Sequence, residues 1–205
     1  MITLFVSAFV TLFVVIDPPG CAPIFASLTS GTSPAHRRAM AVRSVGVAAL
    51  ILFVFALVGE AFLRAMGISL DAFRIAGGIM LFLIALEMVF EKRTERRENR
   101  AAEAKSQAPE DISIFPMGIP MIAGPGSIAS AMLLTSHRAG PAELVVVLAA
   151  LAAILILTLA ALLAAGPLMR LVGTKVEAMI TRLLGVILAA LAVQFVIDGI
   201  RASLG

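Results

Sequence analysis

An aspartate embedded in an apolar run is the first residue of this chain with chemistry to offer. Asp17 ends a charge-free stretch from Ile2 and is followed by Pro18, Pro19, Gly20, Cys21 and Pro23. A second cluster, Gly124-Pro125-Gly126-Ser127, interrupts another uncharged stretch. Proline removes a backbone donor and clashes with the preceding turn, while glycine permits close approach and unusual dihedrals. Each cluster is therefore expected to end one helix and start another. The new helix starts then present free N–H groups near residues 21–24 and 126–129, and Ser127 can cap the second. Such groups attract carboxylates and other anions. An acid in this setting is a candidate for a proton, a cation or a substrate ammonium. It can equally serve as a cap for the donors around its prolines. Gln194 and Asp198, one turn apart on one helix face, are secondary candidates, with an interface cap as the plainer role.

The elements that carry these residues are membrane spans. The 205 residues are 60% hydrophobic and 14% charged, with a mean hydropathy of +1.06. Soluble domains have about 45–50% apolar and ~25% charged residues, so lipid is the expected solvent. Continuous Leu- and Ala-rich runs favour helices over the alternating strands of a barrel. Six segments result: Ile2–Leu28, Arg43–Leu63, Ile68–Phe90, Ile112–Ser136, Leu144–Met169 and Thr181–Ile200. The first and fourth carry the Pro/Gly breaks. Glu91–Asp111, with the run Glu-Arg-Arg-Glu-Asn-Arg, is expected to be a solvated cytoplasmic loop, with or without a short helix. No basic residue precedes Arg37, so the first segment is expected to be a retained span and not a cleaved signal. One cysteine, Cys21, excludes a disulfide framework within the chain. The net charge of +3 is explained by membrane topology, without a nucleic-acid partner.

Arg37, Arg38, Arg43, Lys92, Arg93, Arg96, Arg97, Arg100, Lys105, Arg170, Lys175 and Arg182 fall after segments one, three and five, twelve of the sixteen Lys and Arg residues. The positive-inside bias then puts both termini outside the cytoplasm. Pro19-Gly20 matches Pro125-Gly126, and Thr29-Ser30 matches Thr135-Ser136, at the same offset. Arg64 and Gly67 match Arg170 and Gly173, and Arg74 and Gly77 match Arg182 and Gly185 two residues further on. The fold expected is an all-α polytopic membrane protein of six transmembrane segments, two inverted three-span repeats with broken first helices. Residues 1–90 form one repeat and 112–205 the other, joined by the 91–111 loop. An odd number of spans inverts the second unit, a plan shared with many secondary transporters, whose sites lie on broken helices near the midplane.

Asp17-Pro-Pro-Gly-Cys-Ala-Pro-Ile-Phe25 and Ile119-Pro-Met-Ile-Ala-Gly-Pro-Gly-Ser-Ile-Ala129, with the six-span layout, resemble the MarC family, also called the small neutral amino acid transporter family. Asp17, Pro18, Gly20, Pro23 and Phe25 match its first motif, and Ile119, Pro120 and Ala123–Ile128 its second. Cys21 departs from it, because the family often has Asn there. The resemblance implies a secondary transporter or exporter of small neutral amino acids such as glycine or alanine. Proton or sodium coupling is expected, no other cofactor and no metal site. A channel, or a non-transporting regulator linked to drug or stress tolerance, is the alternative. No catalytic motif points to an enzyme. The expected partners are the lipid bilayer and a small zwitterionic solute, and the expected location is the bacterial inner membrane.

Overall fold

A computed structural model describes residues 1–106, 111–136 and 140–204, and all regular elements among them are helical. In chain order these are α1 (Ile2–Ile16), α2 (Pro18–Leu28), α3 (Pro34–Ala65), α4 (Leu70–Val89) and α5 (Lys92–Ser106). A kinked segment, Ser113–Ile122, precedes α6 (Pro125–Ser136), α7 (Pro141–Leu163) and α8 (Ala165–Leu204). Local chemistry sets the starts. Ser33 caps α3 by accepting from the His36 amide at 3.3 Å, with Pro34 in the first turn. Ser69 caps α4 by accepting from Ala72 at 3.1 Å, and Asp71 sits where the helix dipole favours an acid. Pro141 opens α7.

Five helical stretches are long and apolar enough to cross a membrane: Ile2–Leu28, Pro34–Ala65, Leu70–Val89, Pro141–Leu163 and Ala178–Leu204. The kinked segment and α6, bent by 54° at their junction, make a sixth if taken as one span. Large apolar side chains such as Leu50, Leu57, Val145, Ile156, Leu183 and Val186 point outward. In water that surface would drive aggregation, whereas lipid accepts it.

Interior packing relies on small residues, as expected where lipid removes the hydrophobic drive between helices. α4 and α8 run antiparallel along a glycine seam. Gly78 lies against Ala192 and Val196, Gly185 against Ala85 and Met88, and Gly199 against Asp71 and Ile75. α3 runs alongside the bent pair in the same direction, with Val47 against Gly118 and Met132 against Gly59. α7 packs against α1 and α2, where Val147 and Ala150 meet Ala8.

Two expectations need correction. Glu91–Asp111 is not simply a solvated loop. Its first part is α5, and Arg93 and Arg97 are buried at 8% and 6% exposure because they satisfy backbone and carboxylate groups inside the protein. The first break is one residue, Asp17, and not the stretch to Pro23. Pro18 and Pro19 have no N–H to lose, so they start α2 directly, and Pro23 lies within it.

The seam makes a directional prediction. A Cβ at Gly78 would stand 2.8 Å from the Ala192 carbonyl oxygen and 3.1 Å from the Val196 nitrogen, both backbone atoms, whereas one at Gly46 meets nothing within 4 Å. Gly78→Ala should lower stability by about 1–3 kcal/mol through overpacking. Gly46→Ala should leave stability unchanged or raise it by up to ~1 kcal/mol through helix propensity. Thermal unfolding of the two variants in one detergent reads the difference.

Candidate binding site

Asp17 connects two helices by adopting the left-handed conformation (φ 59°, ψ 64°), which aspartate tolerates better than most residues. Its N–H donates to the Phe13 carbonyl at 2.9 Å, closing α1, and its carbonyl accepts from Cys21 at 3.0 Å, opening α2. Oδ1 accepts from the Gly20 amide at 3.2 Å. Pro18 and Pro19 carry no donor, so Gly20 is the first-turn amide that needs an acceptor, and Asp17 supplies it. The start of α2 is therefore satisfied from within, and the paired-anion-site expectation does not hold there.

The last carbonyls of α1 find cations. Arg93 Nη2 donates to the Val15 carbonyl at 2.6 Å, and Arg97 Nη2 to that of Ile16 at 3.3 Å. Arg97 Nη1 also pairs with Asp17 Oδ2 at 2.8 Å. Asp17 is 1% exposed, so this ion pair is removed from solvent. The arginines lie one turn apart on α5, a spacing that lets both reach the same helix end. Cations there also complement the negative end of the α1 dipole. Burial, then the adjacent Arg97 guanidinium, lower the Arg93 guanidinium to about 10. Gly20 gives the pair room: a Cβ there would stand 2.8 Å from Arg97 Nη1 and closer still to the Asp17 carboxylate.

The second break is built differently. Phe115 and Ile119 are extended, and wide turns close from the Met117 amide to the Ile112 carbonyl (3.3 Å) and from Ala123 to Gly118 (2.9 Å). The peptide bonds before Pro116 and Pro120 are cis. Ile128 donates to the Gly124 carbonyl at 3.0 Å as α6 begins. No acceptor binds the Gly126 and Ser127 amides among the described residues. Gly126 packs against Val15, Leu81 and Ile84, which sets the start of α6 beside the end of α1. Here a cavity of about 330 Å³ opens, walled by Gly124–Ser127, Ile84, Glu87 and the arginines of α5. Ser127 is 3% exposed, and its hydroxyl makes no hydrogen bond among the described residues. Arg96 pairs with Glu87 at 2.6 Å, while half-buried Arg100 has no ion pair among the described residues.

The family model described as MarC family integral membrane protein matches residues 2–204. The chain belongs to the MarC family. Its relatives include a UPF0056 membrane protein of Methanocaldococcus jannaschii, 37% identical and covering 98% of this chain and 97% of the relative. A UPF0056 membrane protein of Archaeoglobus fulgidus is 36% identical, covering 99% and 95%. The UPF0056 inner membrane protein YhgN of Escherichia coli K12 is 37% identical, covering 96% and 95%. No solved structure matches.

In this MarC protein the residues singled out from sequence divide into three groups. Gly124, Pro125, Gly126 and Ser127 line the cavity. Asp17, Pro18, Gly20 and Cys21 are buried next to it, behind Arg97, with Pro19 and Pro23 partly exposed on α2. Gln194 and Asp198 bond each other at 2.7 Å at the far end of α4, where Gly199 meets Asp71. The pattern reading missed Glu87, Arg93, Arg97 and Arg100 as site residues. The i, i+4, i+7 spacing of the three arginines was the available signal, since it puts them on one helix face.

Removing one partner of a buried pair strands the other, at a cost of about 3–5 kcal/mol. Asp17→Asn and Arg97→Gln should each destabilise the protein on that scale, and the double variant should cost clearly less than their sum. Chemical unfolding of all four proteins completes the double-mutant cycle. Additive effects would mean that the two groups do not act as a pair.

Proposed function

We propose that this MarC protein is a secondary transporter of small neutral amino acids, with the solute held where the two helix breaks meet. The observation that carries this is the contact of Gly126 with Val15, which puts a cavity at the junction. The unbonded amides of Gly126 and Ser127, with the Ser127 hydroxyl, suit a carboxylate. Glu87, the acid on the cavity wall, would share its carboxylate between Arg96 and the ammonium of a bound zwitterion.

Helix directions support the inverted repeat. With α4 and α8 antiparallel, an even number of crossings separates them. α7 supplies one, so the bent pair supplies the other, and its course alongside α3 agrees. Packing is also exchanged between the halves: α3 lies on the kinked segment and α6, while α7 lies on α1 and α2. On this reading, six crossings with the basic α5 on the cytoplasmic side leave both termini outside, in keeping with the excess of Lys and Arg after spans one, three and five. The bacterial inner membrane is the compartment in keeping with the name of YhgN.

Counterflow of labelled alanine into proteoliposomes tests the carrier. Wild type should show saturable exchange. Ser127→Ala should raise KM by ~5-fold with little change in maximal rate, as for loss of one hydrogen bond made throughout binding. Absence of exchange above empty liposomes for alanine, glycine and serine would sink the reading.

A further inference from the structure

We infer that the cavity at the start of α6 binds an oxyanion of net negative charge, of the phosphate type, whether a free phosphate group or an anionic lipid headgroup. The inference goes beyond the carrier reading and begins from a count of charge. Arg93, Arg96, Arg97 and Arg100 line the cavity. Asp17 takes up Arg97 and Glu87 takes up Arg96. Arg93 donates to the Val15 carbonyl and approaches the Met88 sulfur, neither of which carries a formal charge. Arg100 has neither an ion pair nor a hydrogen bond among the described residues. Two carboxylates thus face four guanidiniums.

Arg93 is 8% exposed and Arg100 half-buried, so their charge is only partly solvated, and a ligand that neutralises it gains more than it would in open water. The donors fit an oxyanion better than a halide-sized ion. The Gly126 and Ser127 amides point from a helix start, and Ser127, a residue only 3% exposed, lines the same wall with its hydroxyl unbonded among the described residues. A helix start, a hydroxyl and planar guanidinium forks together suit several oxygens on one centre. A zwitterion brings its own positive charge and leaves the imbalance unchanged. It should therefore bind more weakly than phosphate and compete with it.

The test titrates the full chain, purified in detergent, with inorganic phosphate by calorimetry, and weighs the same preparation by native mass spectrometry. Saturable binding near one phosphate per chain is expected, weakened by ~10-fold in Arg100→Gln and by several-fold in Ser127→Ala. Arg100→Lys, which keeps the charge, should retain most of the affinity. Neither Arg100 nor the Ser127 hydroxyl supports another group, so the thermal midpoints of the phosphate-free variants should match wild type. A headgroup source would appear as one anionic phospholipid kept per chain in wild type and lost in Arg100→Gln, with phosphate binding recovered after delipidation. Phosphate binding that both variants leave unchanged, or neither phosphate nor lipid bound, would overturn the inference. Alanine exchange without phosphate binding would remove this inference alone. Phosphate binding without alanine exchange would remove the carrier reading alone.

Discussion

Everything near the junction depends on how the end of α1 is satisfied. A helix that stops inside a membrane protein leaves carbonyl oxygens with no water to bond them, and each orphan costs several kcal/mol. Here Arg93 and Arg97 supply the missing donors, and Arg97 also neutralises Asp17. The solution has structural consequences. It draws a charged helix into the fold, fixes α5 against the end of α1, and forbids a side chain at Gly20. It also gives the cavity one of its walls.

Much of this was legible from sequence. Both breaks, six apolar segments and the family motifs followed from where Pro and Gly interrupt uncharged runs. Gly77 and Gly185, which the sequence register pairs, both pack closely against neighbouring helices. The role of α5 was not legible. Its composition is that of a surface segment, and nothing local distinguishes an arginine held in water from one that reaches a carbonyl distant in sequence. Arg97 and Asp17 are 80 residues apart. The extent of the first break was also hidden, because prolines that look like interruptions are equally suited to the first turn of a new helix. Only the tertiary placement of Asp17 decides between them.

α5 links two demands that would otherwise be separate. Its buried face completes a helix end, and its flanking residues Arg96 and Arg100 border open space. Any displacement of α5 would therefore expose the carbonyls of α1 and unpair Asp17 while it widened the cavity. Such coupling makes α5 costly to move unless another cation replaces its guanidiniums.

The two breaks thus leave one helix start without acceptors among the described residues and not two. At the first break the position matching Ala123 is Asp17, at the offset of the Pro-Gly pairs. A carboxylate there supplies the acceptor that the start of α2 requires, so this helix carries its own anion. At the second break alanine supplies none, and the amides of Gly126 and Ser127 remain without acceptors among the described residues. One difference in side chain between equivalent positions is enough to close one half-helix and leave the other available. The arginine that pairs with the internal carboxylate also borders the open site, so the closed break shapes the charge around the open one. A perfectly symmetric pair would have divided that charge between two equivalent sites, whereas the asymmetry concentrates it at a single one.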